Sequence, residues 1–423
     1  MLLIKNGHIL DPLSGASYVG NIYVEGDRII KVEEGAPSIE CDKVIDASNL
    51  TVVPGLIDVH SHFRDPGYTY KEDIYTGALS AAAGGYTTVV LMCNTNPTVD
   101  NVETLKYVID RGLETEINVL SCGSVTYGLK GKELTDFDAL YEAGAVGFTD
   151  DGIPLMDADL LRKAMEKAAK MKLPISLHEE DKNLIDNNGI NRGKASEYYN
   201  CGGSPREAEI TLVARDVEIA KQTGAILDVQ HISTKEVADL LRKVKAEGYT
   251  NIHGEGTPHH FSLTEDDVIK KGTLAKVNPP IRTEEDRQAV IEAIRDGVID
   301  IIATDHAPHS EEEKNKGILN APSGMIGLET ALALSITKLV KESGVDIMTV
   351  IKALTINPAN MYGFKEVGAI KEGYKADICI FDENEEWVVD KFASRSKNSP
   401  FIGEKLTGKV KYTICSGNIV YKG

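Results

Sequence analysis

Val52-Val53-Pro54-Gly55-Leu56-Ile57-Asp58-Val59-His60-Ser61-His62-Phe63-Arg64 is an apolar run that ends in two histidines one residue apart. In an extended strand alternate side chains share a face, so His60 and His62 project the same way. Two neutral imidazoles on one face at a strand's end suit a divalent metal, and zinc is the commonest guest for nitrogen and carboxylate ligands. Taken alone, the pair also reads as one histidine capping a loop and the other filling a polar gap. Its meaning depends on which further ligands the chain supplies.

Outward from this stretch, the middle of the chain repeats its pattern. Short, nearly continuous apolar runs alternate with amphipathic helical stretches, which implies a parallel sheet. Eight candidate strands end near His62, Asn94, Gly123, Asp150, His178, His231, Glu255 and Asp305. Helical stretches fall between them at 72–84, 101–113, 157–171, 207–223, 235–247 and 284–296, with Leu160-Leu161, Ala164-Met165 and Ala168 at helical spacing. Eight strand–helix units close most economically into an α/β (β/α)8 barrel of the TIM type, with a doubly wound open sheet as the runner-up. The segment Glu311-Glu312-Glu313-Lys314-Asn315-Lys316-Gly317 reads as a mobile, solvated loop.

The two ends have a different rhythm. Leu2-Leu3-Ile4, Asn21-Ile22-Tyr23-Val24 and Arg28-Ile29-Ile30 are short strands punctuated by Gly7 and Gly26-Asp27. Ala376–Asp382, Lys411–Cys415 and Asn418–Tyr421 repeat that style in the tail. Neither piece alone supports a comfortable core, so residues 1–52 and 366–423 are expected to meet in one small β-sandwich beside a barrel of residues 53–365.

Composition narrows the function. Of 423 residues, 42% are apolar and 26% charged, ordinary values for a globular protein. A net charge of −19 argues against a nucleic-acid or anionic-membrane surface, so an anionic small-molecule substrate would need a local positive site. Six scattered cysteines without a Cys-x-x-Cys pair read as reduced thiols. No apolar run reaches the ~18 residues of a membrane span, and Met1–Gly7 reads as a strand and turn; the expected location is the cytoplasm.

The unusual polar residues fall at strand ends, the face of a barrel that carries active sites. Besides His60 and His62, these are Asp150-Asp151, His178, His231 and Asp305-His306. Each has a bland reading: a lone histidine as a hydrogen-bonded loop residue, Asp-Asp-Gly as a turn, Asp305 as a cap. Four histidines and two carboxylates converging on one rim are hard to explain as packing. Spacing does not choose between Asp150 and Asp151.

With these residues in view, the sequence resembles the amidohydrolase superfamily and, within it, the bacterial type I dihydroorotases. The likeness covers nearly the whole chain. It is carried by Asp58–Arg64, Asn94-Thr95-Asn96-Pro97, Phe148-Thr149-Asp150-Asp151-Gly152, His231–Glu236, Thr257-Pro258-His259-His260, Asn278-Pro279-Pro280 and Ala303–His309. The resemblance implies that His60, His62 and Asp305 hold one zinc, His178 and His231 a second, and that Asp151 bridges them. Many superfamily relatives, hydantoinases included, use a carboxylated lysine near this strand, so an aspartate points toward type I dihydroorotase.

The implied reaction is the reversible closure of N-carbamoyl-L-aspartate to L-dihydroorotate and water, a step of pyrimidine synthesis. It would run through a metal-bridged hydroxide, with Asp305 as general base and acid. Arg64 suits bidentate carboxylate binding. Resemblance gives it that role with His62, Asn94, Asn278, His309 and the backbone of Ser323-Gly324, although Ser323 stands where relatives often carry a bulkier apolar residue. His259 and His260 read as supporting residues, and His8 and His253 as structural. Relatives are often homodimers, and association with aspartate transcarbamoylase is left open by the sequence. Two alternatives stand beside this reading: another cyclic amidase of allantoinase or hydantoinase type, and a metal-free scaffold.

Overall fold

The computed structural model describes residues 1–423. The apolar runs of the middle become eight parallel strands: Leu56–Ser61, Tyr86–Leu91, Asn118–Ser121 continuing as Gly123–Ser124, Phe148–Thr149, Pro174–Leu177, Ile226–Val229, Ile252–Gly256 and Ile301–Ile302. At Cys122 the third strand changes partners. Cys122 N–H still donates to Leu91 O of the second strand, whereas Gly123 N–H donates to Gly147 O beside the fourth.

The helices between the strands follow the expected spans closely, for example Val102–Leu113, Ala158–Met171, Arg206–Thr223 and Lys235–Ala246. Ala158–Met171 shows why. The Asp157 carboxylate caps its first turn by accepting from Asp159 N–H and Leu160 N–H, and Leu161, Ala164, Met165 and Ala168 form its buried stripe. The eighth strand leads, through two short helices, to Ala331–Leu334, which runs on as a wider helix through Ser335–Glu342.

Closing the barrel joins the first strand to the eighth, and side chains do much of this work. A parallel bridge pairs Ser61 with His306, and His62 N–H donates to His306 O at 2.9 Å. Beneath it the buried Asp58 carboxylate accepts Thr304 N–H at 2.8 Å and the Thr304 hydroxyl at 2.7 Å, and it also accepts the Ser61 hydroxyl. Asp58 therefore extends this sparse backbone pairing across the seam, immediately below His60.

The two ends meet in one eight-stranded sheet. Thr51–Pro54 pairs with Leu2–Asp11 on one side and with Ile378–Val388 on the other, so N- and C-terminal strands are interleaved by hydrogen bonds. The sheet has its own apolar core, a cluster of 14 buried residues that includes Ile4, Ile22, Val24, Val52, Ile378 and Ile414. Gly55 passes the chain from this sheet directly into the barrel. A Cβ there would lie 2.2 Å from Thr87 Oγ1, so only glycine allows the approach.

One expectation needs correction. The segment after His309 is solvated as expected, with Glu311, Glu312, Asn315, Lys316 and Gly317 exposed, but it is not a loop. It forms the short helices Glu311–Lys314 and Gly317–Asn320, and Lys314 is buried. Lys314 Nζ donates to Pro322 O and Gly324 O at 3.0 and 2.9 Å, and Lys276 Nζ donates to Ile318 O and Ala321 O at 2.7 and 2.9 Å. Burial, with repulsion from Lys276, pushes the Lys314 ammonium down to about 7. Composition could not show that lysines turned inward would gather these carbonyls.

The seam makes a stability prediction. Asp58→Ala leaves the Thr304 N–H and two hydroxyls without their buried acceptor, and should cost about 3 kcal/mol or more. The fall in the urea unfolding midpoint measures it; an unchanged midpoint would show that the seam does not rely on this carboxylate.

Candidate metal centre

The carboxyl ends of the strands bring six of the singled-out side chains together. His60 lies within the first strand and His62 just beyond it, Asp151 follows the fourth, His178 the fifth, His231 the sixth and Asp305 the eighth. Three residues of the rim hold non-glycine left-handed backbone: Arg64 at φ 59°, His231 at 35° and Asp305 at 46°. Such conformations cost on the order of 1–3 kcal/mol each and concentrate where a side chain must be aimed.

Asp151 is at the centre. Its Oδ1 lies 3.5 Å from His60 Nε2, 3.9 Å from His231 Nε2 and 4.0 Å from His178 Nδ1, while its Oδ2 lies 3.5 Å from His62 Nε2. Asp305 Oδ1 approaches His62 Nε2 at 3.1 Å and His60 Nε2 at 3.6 Å. Two triads with ligand-like spacing result, His60–His62–Asp151 and Asp151–His178–His231, and they share the aspartate. The Asp150/Asp151 ambiguity resolves sterically. Asp150 turns away to accept Val125 N–H and Thr126 N–H at 2.8 and 3.0 Å, leaving Asp151 alone to face the cavity.

Neighbouring side chains orient these groups. Glu255 Oε2 accepts His60 Nδ1–H at 2.8 Å and the main-chain N–H of His231 at 3.1 Å, so one carboxylate fixes a residue of each triad. With its proton on Nδ1, His60 presents the lone pair of Nε2 to the cavity, and that buried nitrogen has no hydrogen-bond partner. Glu180 Oε2 sits 3.2 Å from His178 Nε2, and Asn94 spans His62 Nδ1 and Asp151 Oδ2 at 3.0 and 3.1 Å. Burial alone would raise Asp151, yet His60, His62 and His178 hold its carboxyl well below the ordinary range.

The donor set fits divalent cations. It offers four imidazoles and two carboxylates, no thiol, and all six side chains are buried. With neutral imidazoles, two buried carboxylates lack compensating charge, and His60 Nε2 lacks a partner. Cations would satisfy both, and nitrogen–oxygen donors suit zinc.

Beside this cluster opens a cavity of about 250 Å³, lined almost wholly by polar groups. Arg64, Asn94, Asn278, His309, Ser323 and Gly324 all line it. Arg64 Nε donates to Pro308 O at 3.2 Å, which leaves its two terminal nitrogens for a ligand. His309 Nε2 donates to Ser323 O at 2.8 Å. Asn278 Nδ2 lies 3.0 Å from His178 Nε2, so it also steadies that ring. Gly324 is spoken for: its N–H goes to Lys276 O and its carbonyl to Lys314 and Asn398. Of the Ser323-Gly324 pair, the free backbone donor is Ser323 N–H.

The remaining histidines are structural in their contacts. His260 bonds Thr257 Oγ1 and Pro279 O at 2.7 and 3.1 Å, His253 bonds Asp300 at 2.8 Å, and His8 bonds Ser17 at 2.9 Å. His259 is buried with Nε2 unpartnered, outside the two triads. Sequence reasoning missed Glu255, Glu180 and the cavity-lining Asn188. In the sequence Glu255 stands out only as the end of the seventh strand. A charged residue at the end of a buried strand was the available signal.

Residues 51–420 match the Amidohydrolase family. Over the full length of both chains, the protein is 51% identical to a dihydroorotase of Clostridioides difficile (strain 630) and 50% identical to that of Clostridium acetobutylicum. The chain belongs to the amidohydrolase family, among its dihydroorotases. It is accordingly a metal-dependent hydrolase. Among solved structures, the L-hydantoinase of Arthrobacter aurescens is 25% identical with a TM-score of 0.89, covering 100% of this chain and 96% of that one. The D-hydantoinase of a Thermus species has a TM-score of 0.84 at 24% identity, covering 99% and 95%, which speaks for the fold.

In this dihydroorotase-branch chain Glu255 is the contact that ties both triads together, so it yields a direct prediction. Glu255→Gln keeps the volume but removes the anionic acceptor, and should weaken divalent-cation affinity by about 10–100-fold. Titration of the metal-stripped variant with zinc, read by calorimetry, measures this; affinity equal to the parent would refute it.

Proposed function

We propose that the protein interconverts N-carbamoyl-L-aspartate and L-dihydroorotate using two zinc ions, with His60, His62 and Asp305 serving one, His178 and His231 the other, and Asp151 both. The observation that carries this reading is the shared Asp151 carboxylate, set between two imidazole groups beside a cavity whose free cation is Arg64. Bound there, the ions would supply Lewis acidity, polarising the amide carbonyl and lowering the pKa of a water from 15.7 toward ~7.

The chain's own groups do the rest. Asp305, 3.1 Å from His62 Nε2 and open to the cavity, takes a proton from the attacking water and returns it to the departing ring nitrogen. In the direction of ring closure it serves the same two atoms in reverse order. Burial works against its ionised form, but His62 and His60 hold the Asp305 carboxyl below its usual pKa, so it rests ionised.

Arg64 binds the substrate carboxylate through its two uncommitted terminal nitrogens, a geometry that a planar guanidinium matches and an ammonium does not. Asn94, Asn278, His309 and Ser323 N–H complete the polar wall, and His62 borders both metal and substrate. His309 is kept neutral by burial and by Arg64, Lys71 and Lys314, and its one N–H goes to Ser323 O, so it shapes the wall and holds that backbone without adding charge. A single cationic clamp explains how a chain of net charge −19 takes an anionic substrate. No helix is long and apolar enough to cross a membrane, and all six cysteines are free, which supports a reducing, cytoplasmic setting.

Purified protein should hold close to two equivalents of zinc by elemental analysis and convert each of the two compounds into the other. Full metal with turnover of neutral hydantoins alone would establish the amidase alternative, and failure to take up metal would establish the scaffold.

Arg64→Met should raise KM about 10–100-fold, the scale of a lost charge-assisted contact, with zinc content near that of the parent. Loss of metal in this variant would mean that Arg64 supports the ions and not the carboxylate.

A further inference from the structure

Between the strands Ile378–Val388 and Lys405–Cys415 the chain leaves the terminal sheet. Residues 389–404 run across to the mouth of the barrel. Ala393 N–H and Ser394 N–H donate to the Glu329 carboxylate at 2.8 and 3.0 Å, and Arg395 N–H donates to Glu72 at 3.1 Å. The Ser396 hydroxyl donates to Lys71 O at 2.7 Å. Glu72 and Lys71 belong to the loop that begins at Arg64, so the excursion is bolted to one wall of the carboxylate end of the cavity.

Asn398, buried at 3% exposure, bolts it to the other. Its Oδ1 accepts His309 N–H at 3.1 Å. The two hydrogens of its Nδ2 go to Ala307 O at 3.0 Å and Gly324 O at 3.1 Å. Its own carbonyl accepts Ile326 N–H at 3.1 Å. Ala307, His309 and Gly324 all line the cavity, whereas Asn398 does not. A carboxamide supplies one acceptor and two donors from a single centre, which is what these three backbone groups require. Aspartate would meet His309 N–H but turn an acceptor toward two carbonyls. Alanine would leave His309 N–H and Ala307 O unpaired in the interior and Gly324 O with Lys314 alone.

Taking the dihydroorotase reading as its basis, we propose that Asn398 is a positioning residue for substrate-carboxylate binding. It acts from the C-terminal excursion by fixing the backbone that carries His309 and Ser323-Gly324. Asn398 touches neither the metal triads nor the substrate; what it controls is the separation between the His309 wall and the Arg64 wall. A wall displaced by about 1 Å is enough to cost up to 10²-fold in efficiency. The loss should fall on binding, because five of the six metal ligands hang from other strands, and the eighth strand's end, with Asp305, is pinned separately by the Thr304–Asp58 and His62–His306 hydrogen bonds.

The test uses the full-length, zinc-loaded protein with Asn398→Ala and Asn398→Asp. Both should raise KM about 10-fold or more, the aspartate variant further than the alanine variant, with kcat within about 3-fold of the parent and zinc content unchanged. Amide hydrogen exchange at His309 and Ile326 should quicken in both. If the alanine variant does not fold, Asn398→Ser, which retains a group for His309 N–H, should give a smaller rise in KM. Unchanged KM in a folded, zinc-replete variant overturns the proposal, as does a joint loss of kcat and metal, the mark of a merely structural residue. A parent protein without turnover would instead defeat the activity reading and this proposal with it, so the two failures are distinguishable.

Discussion

The Asp151 carboxylate is the constraint on which the rest of the molecule depends. It is buried, and four imidazole nitrogens point at it from 3.5 to 4.0 Å. A unit-charge pair at 4 Å is worth about 4 kcal/mol at an effective dielectric near 20, so a buried anion without compensation would not persist in this place. Everything nearby serves that balance. Strands deliver the imidazoles, Glu255 and Asn278 set two of their rings, and Asn94 holds one oxygen of Asp151. The Asp58 seam closes the barrel so that the first and eighth strands can contribute to one centre.

The site also shows a division of labour between the two ends of the cavity. The metal end is built from strand termini, which are rigid because they belong to the barrel's hydrogen-bonded wall. The carboxylate end is built from segments without regular structure, 64–73, 306–309 and 321–326. Those segments gain rigidity from buried side chains that gather backbone carbonyls, among them Lys314, Lys276 and Asn398. A buried lysine bonded to carbonyls is a costly device. Its presence beneath Gly324 shows how firmly that wall is held.

Much of this was legible beforehand. The eight strand ends, the helices between them and the meeting of the two chain ends all follow from periodicity, because a buried parallel strand must be apolar and its helix must have one apolar stripe. The site's polar residues could be read because they interrupt that pattern where a strand stops. Asp150 and Asp151 were indistinguishable because both occupy the same strand end and differ only in which way each side chain turns. The charge density of the segment after His309 made its solvation legible, but neither its short helices nor the inward turn of Lys314 leaves a mark in composition.

The sequence by itself determined the barrel, the terminal sheet and the set of residue types available at the rim, since each is written in local spacing. Tertiary structure alone decided that Glu255 serves His60 and His231 at once, that Gly324 has no backbone group to spare, and that Asn398 reaches His309 from 89 residues away in the chain. Those contacts join segments remote in sequence through single polar side chains. Such a side chain leaves no periodic trace, and its partner exists only once the chain has folded around it.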